Sequence, residues 1–265
     1  MKRVFLIFVL FAFASGMQAQ QRVMLAVFAH PDDETFVGPV LARYAREGVK
    51  VYLAIATEGE KGVNEHAHIP GGEPLARARH EEATCSCRQL GIEPPIFFGL
   101  RDGELGAITN PLAKNVQAVA DNVDKLITKL KPDVVVTWGP DGGYGHPDHR
   151  LVSDAVTQVV QARETKVKLV YAALTIAQAD VVNGEDSGPW HGVVLWHSTD
   201  PAYLPVRITF SPSDQLAFQR SVECHQSQFT PEEMKKMEHA LDKAWDGTVS
   251  FRPWLTTTQS NDLFR

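Results

Sequence analysis

Val23-Met24-Leu25-Ala26-Val27-Phe28-Ala29-His30-Pro31-Asp32-Asp33-Glu34 is the stretch on which the reading of the fold turns. Its apolar opening, rich in aliphatic and β-branched side chains, suits a strand covered on both faces. An imidazole and three carboxylates then crowd the five residues from His30 to Glu34, a density that no hydrophobic core accepts. A helical pattern follows from Thr35 to Glu47. The stretch is therefore a strand-turn-helix corner with its polar groups at the carboxyl end of the strand, where open α/β sheets build their sites. His30 and Asp33 are three apart and can converge on one point if the turn coils at Pro31, with Asp32 projecting beside them. That is the arrangement of two metal ligands and a spare carboxylate. Acids also suit a helix N-terminus through its macrodipole and unpaired amides, so this corner alone leaves both readings open.

A second stretch decides between them. Asp133-Val134-Val135-Val136-Thr137-Trp138 reads as another buried strand, and it runs into Gly139-Pro140-Asp141-Gly142-Gly143-Tyr144-Gly145-His146-Pro147-Asp148-His149. Two His-Pro-Asp corners on two strand ends supply a three-ligand set, His30, Asp33 and His149. Two histidines and one carboxylate with open positions form the pattern of catalytic zinc or iron, whereas a structural zinc site closes with a fourth protein ligand, often Cys.

Ala-His-Pro-Asp-Asp-Glu paired with a later Gly-Gly-Tyr-Gly-His-Pro-Asp-His resembles the PIG-L/LmbE family of metal-dependent N-acetylglucosamine deacetylases, which includes the enzyme of mycothiol biosynthesis acting on a glucosaminyl-inositol. Further stretches agree. Thr57-Glu58-Gly59-Glu60 resembles the family's Thr-x-Gly-Glu, and Arg79-x-x-Glu82 its Arg-x-x-Glu helix. Leu100-Arg101-Asp102-Gly103 falls at its aspartate loop, and His225-Gln226-Ser227-Gln228 resembles its late His-x-Ser-Gln. The resemblance spans residues 22 to 230. It implies a Rossmann-like fold and one divalent metal ion, zinc or ferrous iron.

The N-terminus reads as a leader. Lys2 and Arg3 precede an apolar run from Val4 to Ala14, and small and polar residues lead to Ala19, the pattern of a secretory signal peptide over residues 1–19. The run is short for a membrane span, and no Cys follows it to carry a lipid, so no stable membrane anchor is expected. The remaining chain, residues 20–265, fits one α/β domain. The expected location is periplasmic or extracellular. Net charge is −6, and loss of Lys2 and Arg3 with the leader makes it two units more negative. That balance disfavours nucleic acid and fits a neutral or cationic small molecule. Of the three cysteines, Cys85 and Cys87 should share a helix on different faces. Either one of them bridges to Cys224 or all three stay as buried thiols.

Strand and helix patterns alternate. Strands are expected over Lys50 to Ala56, Ile96 to Phe98, Val134 to Trp138, Lys168 to Ala172, Val193 to His197 and Arg207 to Phe210. Helices are expected over Glu73 to Leu90, Pro111 to Leu130 and Pro147 to Arg163, and from Thr230, where a cap, a proline and two acids open a helix with Met234, Met237, Leu241 and Trp245 on one face. Such alternation predicts a Rossmann-like three-layer α/β sandwich with a mostly parallel sheet and a C-terminal α+β extension. The long polar loop from Glu58 to Gly72 suits a wall of the cleft, with His66 and His68 in solvent.

Amide hydrolysis needs an activated water, a stabilised oxyanion and a proton for the departing amine. A metal on His30, Asp33 and His149 lowers the pKa of water toward 7 and polarises the acyl carbonyl. Asp32 is the natural general base, and the family assigns it so. His146 faces the same cavity and suits amine protonation or an imidazolium for the oxyanion, steadied by Asp148. The family suggests an oxyanion role for Tyr144 as well. Arg79 and Asp102 match family positions that hold the glucosamine ring, with Glu60 on the same cleft. Arg79 could equally pair with Glu82. His225, Ser227 and Gln228 are assigned to support of the metal corner, and Trp138 to scaffold.

The expected function is removal of acetyl from an N-acetylglucosaminyl conjugate, a small-molecule partner. A thiol conjugate or other N-acyl glycoside uses the same corner, and a non-catalytic sugar-binding protein is the alternative from another class. Absence of Gly-x-Ser-x-Gly and of a phosphate loop removes serine-hydrolase and nucleotide readings.

Overall fold

A computed structural model describes residues 21–106, 112–163, 167–184 and 195–265. The leader lies outside them. The strands are β1 (Val23–Phe28), β2 (Lys50–Thr57), β3 (Ile96–Leu100), β4 (Val134–Trp138), β5 (Lys168–Thr175), β6 (Ser198–Thr199), β7 (Val206–Thr209) and β8 (Thr248–Pro253). They form one sheet in the order β3-β2-β1-β4-β5-β8-β7, with β6 beside β5. Strands β1 to β5 run parallel, while β8 runs antiparallel to both β5 and β7.

The apolar runs are explained by cover on both faces. Met24, Ala26 and Phe28 of β1 point to helices α1 (Gly38–Arg46), α2 (Glu73–Leu90), α7 (Pro212–Val222) and α8 (Pro231–Trp245), meeting Val40, Cys87, Phe218 and Met237. Leu25 and Val27 point the other way, to Val123 of α3 (Leu112–Leu130) and Val152 of α5 (Pro147–Gln161), which follows the single turn α4 (Gly142–Gly145). Each Val, Leu, Met or Phe among them contributes about 1.5–3 kcal/mol on burial. The three-layer expectation therefore holds.

The C-terminal part departs in detail. The described residues of the strand expected over 193–197 have no regular structure, and β6 follows directly as two residues. Helix α6 (Ile176–Val182) and strand β8 were not anticipated. Capping boxes at Ser211/Asp214 and Thr230/Glu233 start α7 and α8. Beyond β8 the tail packs away from the site: the Leu263 N–H donates to the Tyr44 hydroxyl at 2.7 Å, which donates to Asp262 at 3.2 Å. Cys85 on α2 forms a disulfide with Cys224 just past α7, at a Cα separation of 5.8 Å, and Cys87 is a buried free thiol.

Candidate metal centre and active site

The chain steps outward from β1 through β2 to β3, then returns to the opposite side of β1 for β4 and β5. A crevice must open where the order reverses, at the carboxyl ends of β1 and β4. Both His-Pro-Asp corners sit there. His30, Asp33 and His149 are all buried, at 8%, 8% and 1% exposure.

Their donor atoms converge. His30 Nδ1 lies 3.1 Å from His149 Nε2, Asp33 Oδ1 lies 3.2 Å from His149 Nε2, and Asp33 Oδ2 lies 3.8 Å from His30 Nδ1. The first two separations lie close to the edge of about 3.4 Å expected for a tetrahedron with bonds of about 2.1 Å. The outer atoms fix which lone pairs face inward. His149 Nδ1–H donates to the Gly142 carbonyl at 3.0 Å, leaving Nε2 bare. His30 Nε2 faces Asp102 at 3.2 Å and Asp148 at 3.4 Å, which leaves Nδ1 as the inward atom. Two bare imidazole nitrogens at 3.1 Å repel unless a cation or a shared proton lies between them. The donor set thus fits a divalent metal ion.

Asp33 divides its labour. Its Oδ2 accepts from the amides of Ala29 and His30, both at 2.9 Å, and from the Trp138 indole at 3.0 Å, while Oδ1 faces His149. Trp138 also stacks on the His149 ring, with centroids 4.6 Å apart and planes 3° from parallel. Trp138 is therefore more than scaffold. Asp148, 1% exposed, ties the corner to the Asp102 loop: its carboxylate accepts from the Gly103 and Gly106 amides at 2.9 and 3.0 Å and faces His30. The surrounding acids draw positive charge inward. Burial opposes positive charge at His30, while its bonds to Asp102 and Asp148 and the field of Asp33 favour it. Burial likewise opposes the Asp102 anion, but His30 above all holds its carboxyl down to about 2.

Asp32 is held in a strained pose beside the ligands. Its backbone is left-handed, φ 106° and ψ −22°, a conformation that costs a non-glycine residue about 1–3 kcal/mol. Neighbours lock it. The Asp32 amide donates to Glu34 at 3.1 Å, and the Thr35 hydroxyl and amide donate to the Asp32 carbonyl at 2.6 and 3.0 Å. Glu34, fully buried, also accepts from Ser86 at 2.5 Å and from His225 at 2.8 Å. The Glu34 carboxylate and the His225 imidazolium stabilise each other against their burial, lowering one pKa and raising the other. Burial lifts the Asp32 carboxyl to about 6, with Arg79 opposing and Asp33 adding to the rise.

Arg79 does not pair with Glu82 and faces the Asp32 corner instead. It is 3% exposed and donates to Asp32 Oδ2 at 3.0 Å and to the carbonyls of Pro31 and Gly59 at 2.5 and 3.2 Å. Glu82 instead accepts from the Ser227 amide and hydroxyl, at 2.6 and 2.7 Å. Gly59 is required by this approach, since a Cβ there would lie 2.4 Å from the Arg79 guanidinium. The Glu60 carboxylate accepts from the Asp102 amide at 3.2 Å, beside the same loop.

His146 and Tyr144 complete the ring of side chains. One nitrogen each of His30, His146 and His149 lie within 4.8 Å of one another. The Asp148 amide donates to His146 Nδ1 at 3.1 Å, so the ring proton sits on Nε2. Burial and repulsion from His30 and His149 push His146 down to about 4. Asp148 thus meets His146 through its backbone amide. Burial, with the charges of Asp33 and Asp32, keeps the Tyr144 phenol protonated well past its ordinary range.

Two recesses meet over these groups. A polar one of about 350 Å³ is lined by His30, Lys61, Arg79, Asp102 and His146, and a second of about 330 Å³ lies on the His149 side. Asp32, Asp33, Tyr144 and Gln228 line both. Gln228 donates to the Gly62 carbonyl at 3.1 Å and Asn64 to the Gln228 carbonyl at 3.0 Å, fastening the loop after β2 over the crevice. His66, expected in solvent, bonds the Gln226 carbonyl at 2.9 Å, and His80 faces Glu58 at 3.0 Å. The network through Glu34, Ser86, Asp148 and Trp138 was not legible beforehand. Its one signal was polar residues beside the two corners.

Fold and site together define a Rossmann-like α/β protein with a two-histidine, one-carboxylate donor set at its topological switch point. Residues 25–160 match the PIG-L family, described as GlcNAc-PI de-N-acetylase, and the chain belongs to that family. A 1D-myo-inositol 2-acetamido-2-deoxy-alpha-D-glucopyranoside deacetylase of Rhodococcus opacus (strain B4) is 38% identical over 162 residues, covering 55% of this chain and 56% of that protein. The chain spans about half the length of the curated relatives it matches. Among solved structures, the N,N'-diacetylchitobiose deacetylase of Pyrococcus horikoshii superposes with a TM-score of 0.63 at 18% identity, over 89% of this chain and 84% of that one. GalB, the 4-carboxy-2-hydroxymuconate hydratase of Pseudomonas putida KT2440, superposes with a TM-score of 0.62 at 14% identity, over 91% and 100%. At such identities these structures report the fold alone, and that fold carries more than one chemistry.

Proposed function

We propose that the chain is an exported, metal-dependent N-deacetylase that hydrolyses the acetamido group of an N-acetylglucosaminyl conjugate. The observation that carries this reading is Asp32, a carboxylate held in a strained left-handed pose with one oxygen 3.0 Å from Arg79, beside the convergent His30, Asp33 and His149 donors and bonded to none of them. A binding module has no use for a strained, unligated carboxylate at that point. Membership of the PIG-L family and the deacetylase named for the Rhodococcus opacus relative support the same chemistry.

His30 Nδ1, Asp33 Oδ1 and His149 Nε2 would hold the ion, which when bound supplies Lewis acidity toward the amide carbonyl and toward water. Zinc and ferrous iron both suit this donor set. Asp32 takes a proton as the water oxygen bonds to the carbonyl carbon. Arg79 restrains Asp32 Oδ2, so the other oxygen is free to receive it. The developing oxyanion lies within reach of two donors that stay protonated at neutral pH, His146 Nε2–H and the Tyr144 hydroxyl. As the carbon–nitrogen bond breaks, Asp32 returns its proton to the amine, and acetate and free amine leave. The amino sugar occupies the polar recess, where Asp102 and Lys61 face its hydroxyls, while Arg79 and Glu60 act behind them by fixing Asp32 and the Asp102 loop.

Export rests on the leader-like residues 1–19 and is supported by the Cys85–Cys224 disulfide, since such bonds persist in oxidising compartments. No described helix is long and apolar enough to cross a membrane. The test is acetate release from a panel of N-acetylglucosamine conjugates by metal-loaded protein, with Asp32→Asn alongside. Release that falls at least about a hundredfold in a variant of unchanged metal content supports the assignment. Equal turnover in the variant removes Asp32 from the base role.

A further inference from the structure

Tyr144 sits in a turn that has little rigidity of its own. Gly142, Gly143 and Gly145 all have left-handed backbones, with φ of 68°, 72° and 92°. Glycine reaches that region freely and leaves it as freely, so the turn must be held from outside. Among the described residues no hydrogen bond holds the Tyr144 hydroxyl, and the ring is aimed by what packs against it. Two of those neighbours, His146 and His149, belong to the site itself. The third is Trp196, which meets the phenol edge-on with centroids 5.1 Å apart.

Trp196 lies beyond residue 160, outside the stretch that matches the family, and is buried. Its own position is fixed from two sides. The Asn183 side chain, just past α6, donates to the Trp196 carbonyl at 2.9 Å and accepts from the Trp196 amide at 2.8 Å, so one side-chain amide takes both backbone groups. Phe36 stacks on the indole with centroids 4.8 Å apart and planes 2° from parallel. The indole then abuts the turn, since a Cβ on Gly143 would lie 3.1 Å from both the Trp196 and the Trp138 rings. The next residue completes the grip: the His197 amide donates to the Gly143 carbonyl at 2.8 Å.

We propose that Trp196, clasped by Asn183, is a positioning residue that holds the Tyr144 hydroxyl where it meets the developing oxyanion. The inference rests on the amide-hydrolase reading above, in which Tyr144 is one of two oxyanion donors. Misplacing a catalytic group by about 1 Å costs on the order of a hundredfold in rate. Metal binding does not depend on Trp196, because Trp138 is held by its own bond to Asp33 and by its stack on His149.

The experiment is a double-mutant cycle on the metal-loaded full chain, read as kcat and KM for an N-acetylglucosamine conjugate, with bound metal measured in every variant. Tyr144→Phe removes the donor and should lower kcat about a hundredfold. Trp196→Ala should lower kcat at least about tenfold, with KM within about twofold and bound metal unchanged. The double variant should fall no further than Tyr144→Phe alone, because Trp196 then has no hydroxyl left to position. Trp196→Phe keeps an aromatic ring against Tyr144 and should restore most of the activity. Asn183→Ala carries the same cycle if Trp196→Ala does not fold. Amide exchange gives a readout apart from turnover: in Trp196→Ala the amides from Gly142 to Gly145 should exchange faster while those of α5 do not. Native kcat in Trp196→Ala, losses that multiply in the double variant, or a fall in bound metal that accounts for the lost activity overturns the inference and leaves the hydrolase reading standing. If the metal-loaded native chain cleaves no conjugate, the hydrolase reading falls, and the exchange result alone decides whether Trp196 holds the turn.

Discussion

Breaking the Cys85–Cys224 disulfide should destabilise the fold by about 5 kcal/mol. The bond closes a loop with a sequence separation of 139 residues, and the chain-entropy relation for a loop of that length gives about 5 kcal/mol at 25 °C. For a domain of this size each kcal/mol moves the melting temperature by about 2–4 °C, so reduction should lower it by about 10–20 °C. The effect should reach the site. Ser86 follows Cys85 and His225 follows Cys224, and both hold Glu34, which in turn receives the Asp32 amide. Differential scanning calorimetry of the native protein and of a Cys85→Ser/Cys224→Ser variant measures the first consequence, and turnover well below either transition measures the second. Thiol titration in denaturant checks the bond itself, with one reactive thiol, Cys87, before reduction and three after. Three thiols in the unreduced protein, or a variant melting within about 2 °C of the native chain, would refute the reasoning.

Trp138→Phe removes one of the three N–H donors to Asp33 Oδ2, and metal affinity measured by chelator competition should fall about tenfold. An unchanged affinity would mean that the indole is packing only. Glu34→Gln should leave metal content intact while lowering kcat more than it raises KM, because the Asp32 amide loses a charged acceptor; a change confined to KM would place Glu34 in substrate binding. Asp214, bonded by Arg46 at 2.8 and 2.9 Å and by the Ser211 amide and hydroxyl, has its carboxyl held below the usual range by those partners against its burial. Its contribution is therefore present above the ordinary carboxylate pKa and lost as pH falls through the lowered value. Asp214→Asn should lose about 1–2 kcal/mol in urea unfolding at pH 7 and progressively less in acid, and a pH-independent deficit would contradict the assignment.

The parts of the fold legible from residue pattern are those whose pattern follows from burial alone. Strands β1 and β4 are unbroken apolar runs because helices cover both faces, and α8 announces itself through Thr230, Pro231 and an acidic first turn. Strand β8 did not, since Thr248 to Pro253 mixes polar and apolar residues and ends in proline, and its place depends on antiparallel neighbours far away in sequence. The same division runs through the site. His30, Asp33 and His149 stand out because charged groups crowd two strand ends where no core could take them. The partners of Arg79 do not, because Pro31 and Asp32 come within reach only once α2 packs against the β1 corner. Glu34 with His225, 191 residues apart, and Cys85 with Cys224 depend likewise on how α2 and α7 settle against each other.

The central claim is that His30, Asp33 and His149 hold one divalent ion on which amide hydrolysis depends. Stripping the protein with a chelator and adding zinc or ferrous iron back in measured equivalents, while following both bound metal and amine release, tests it most directly. Activity that is lost on stripping and restored at one equivalent, with neither binding nor activity recovered in His149→Gln, is the predicted result. Full activity in the stripped protein, or one tightly bound equivalent in His149→Gln, would contradict it.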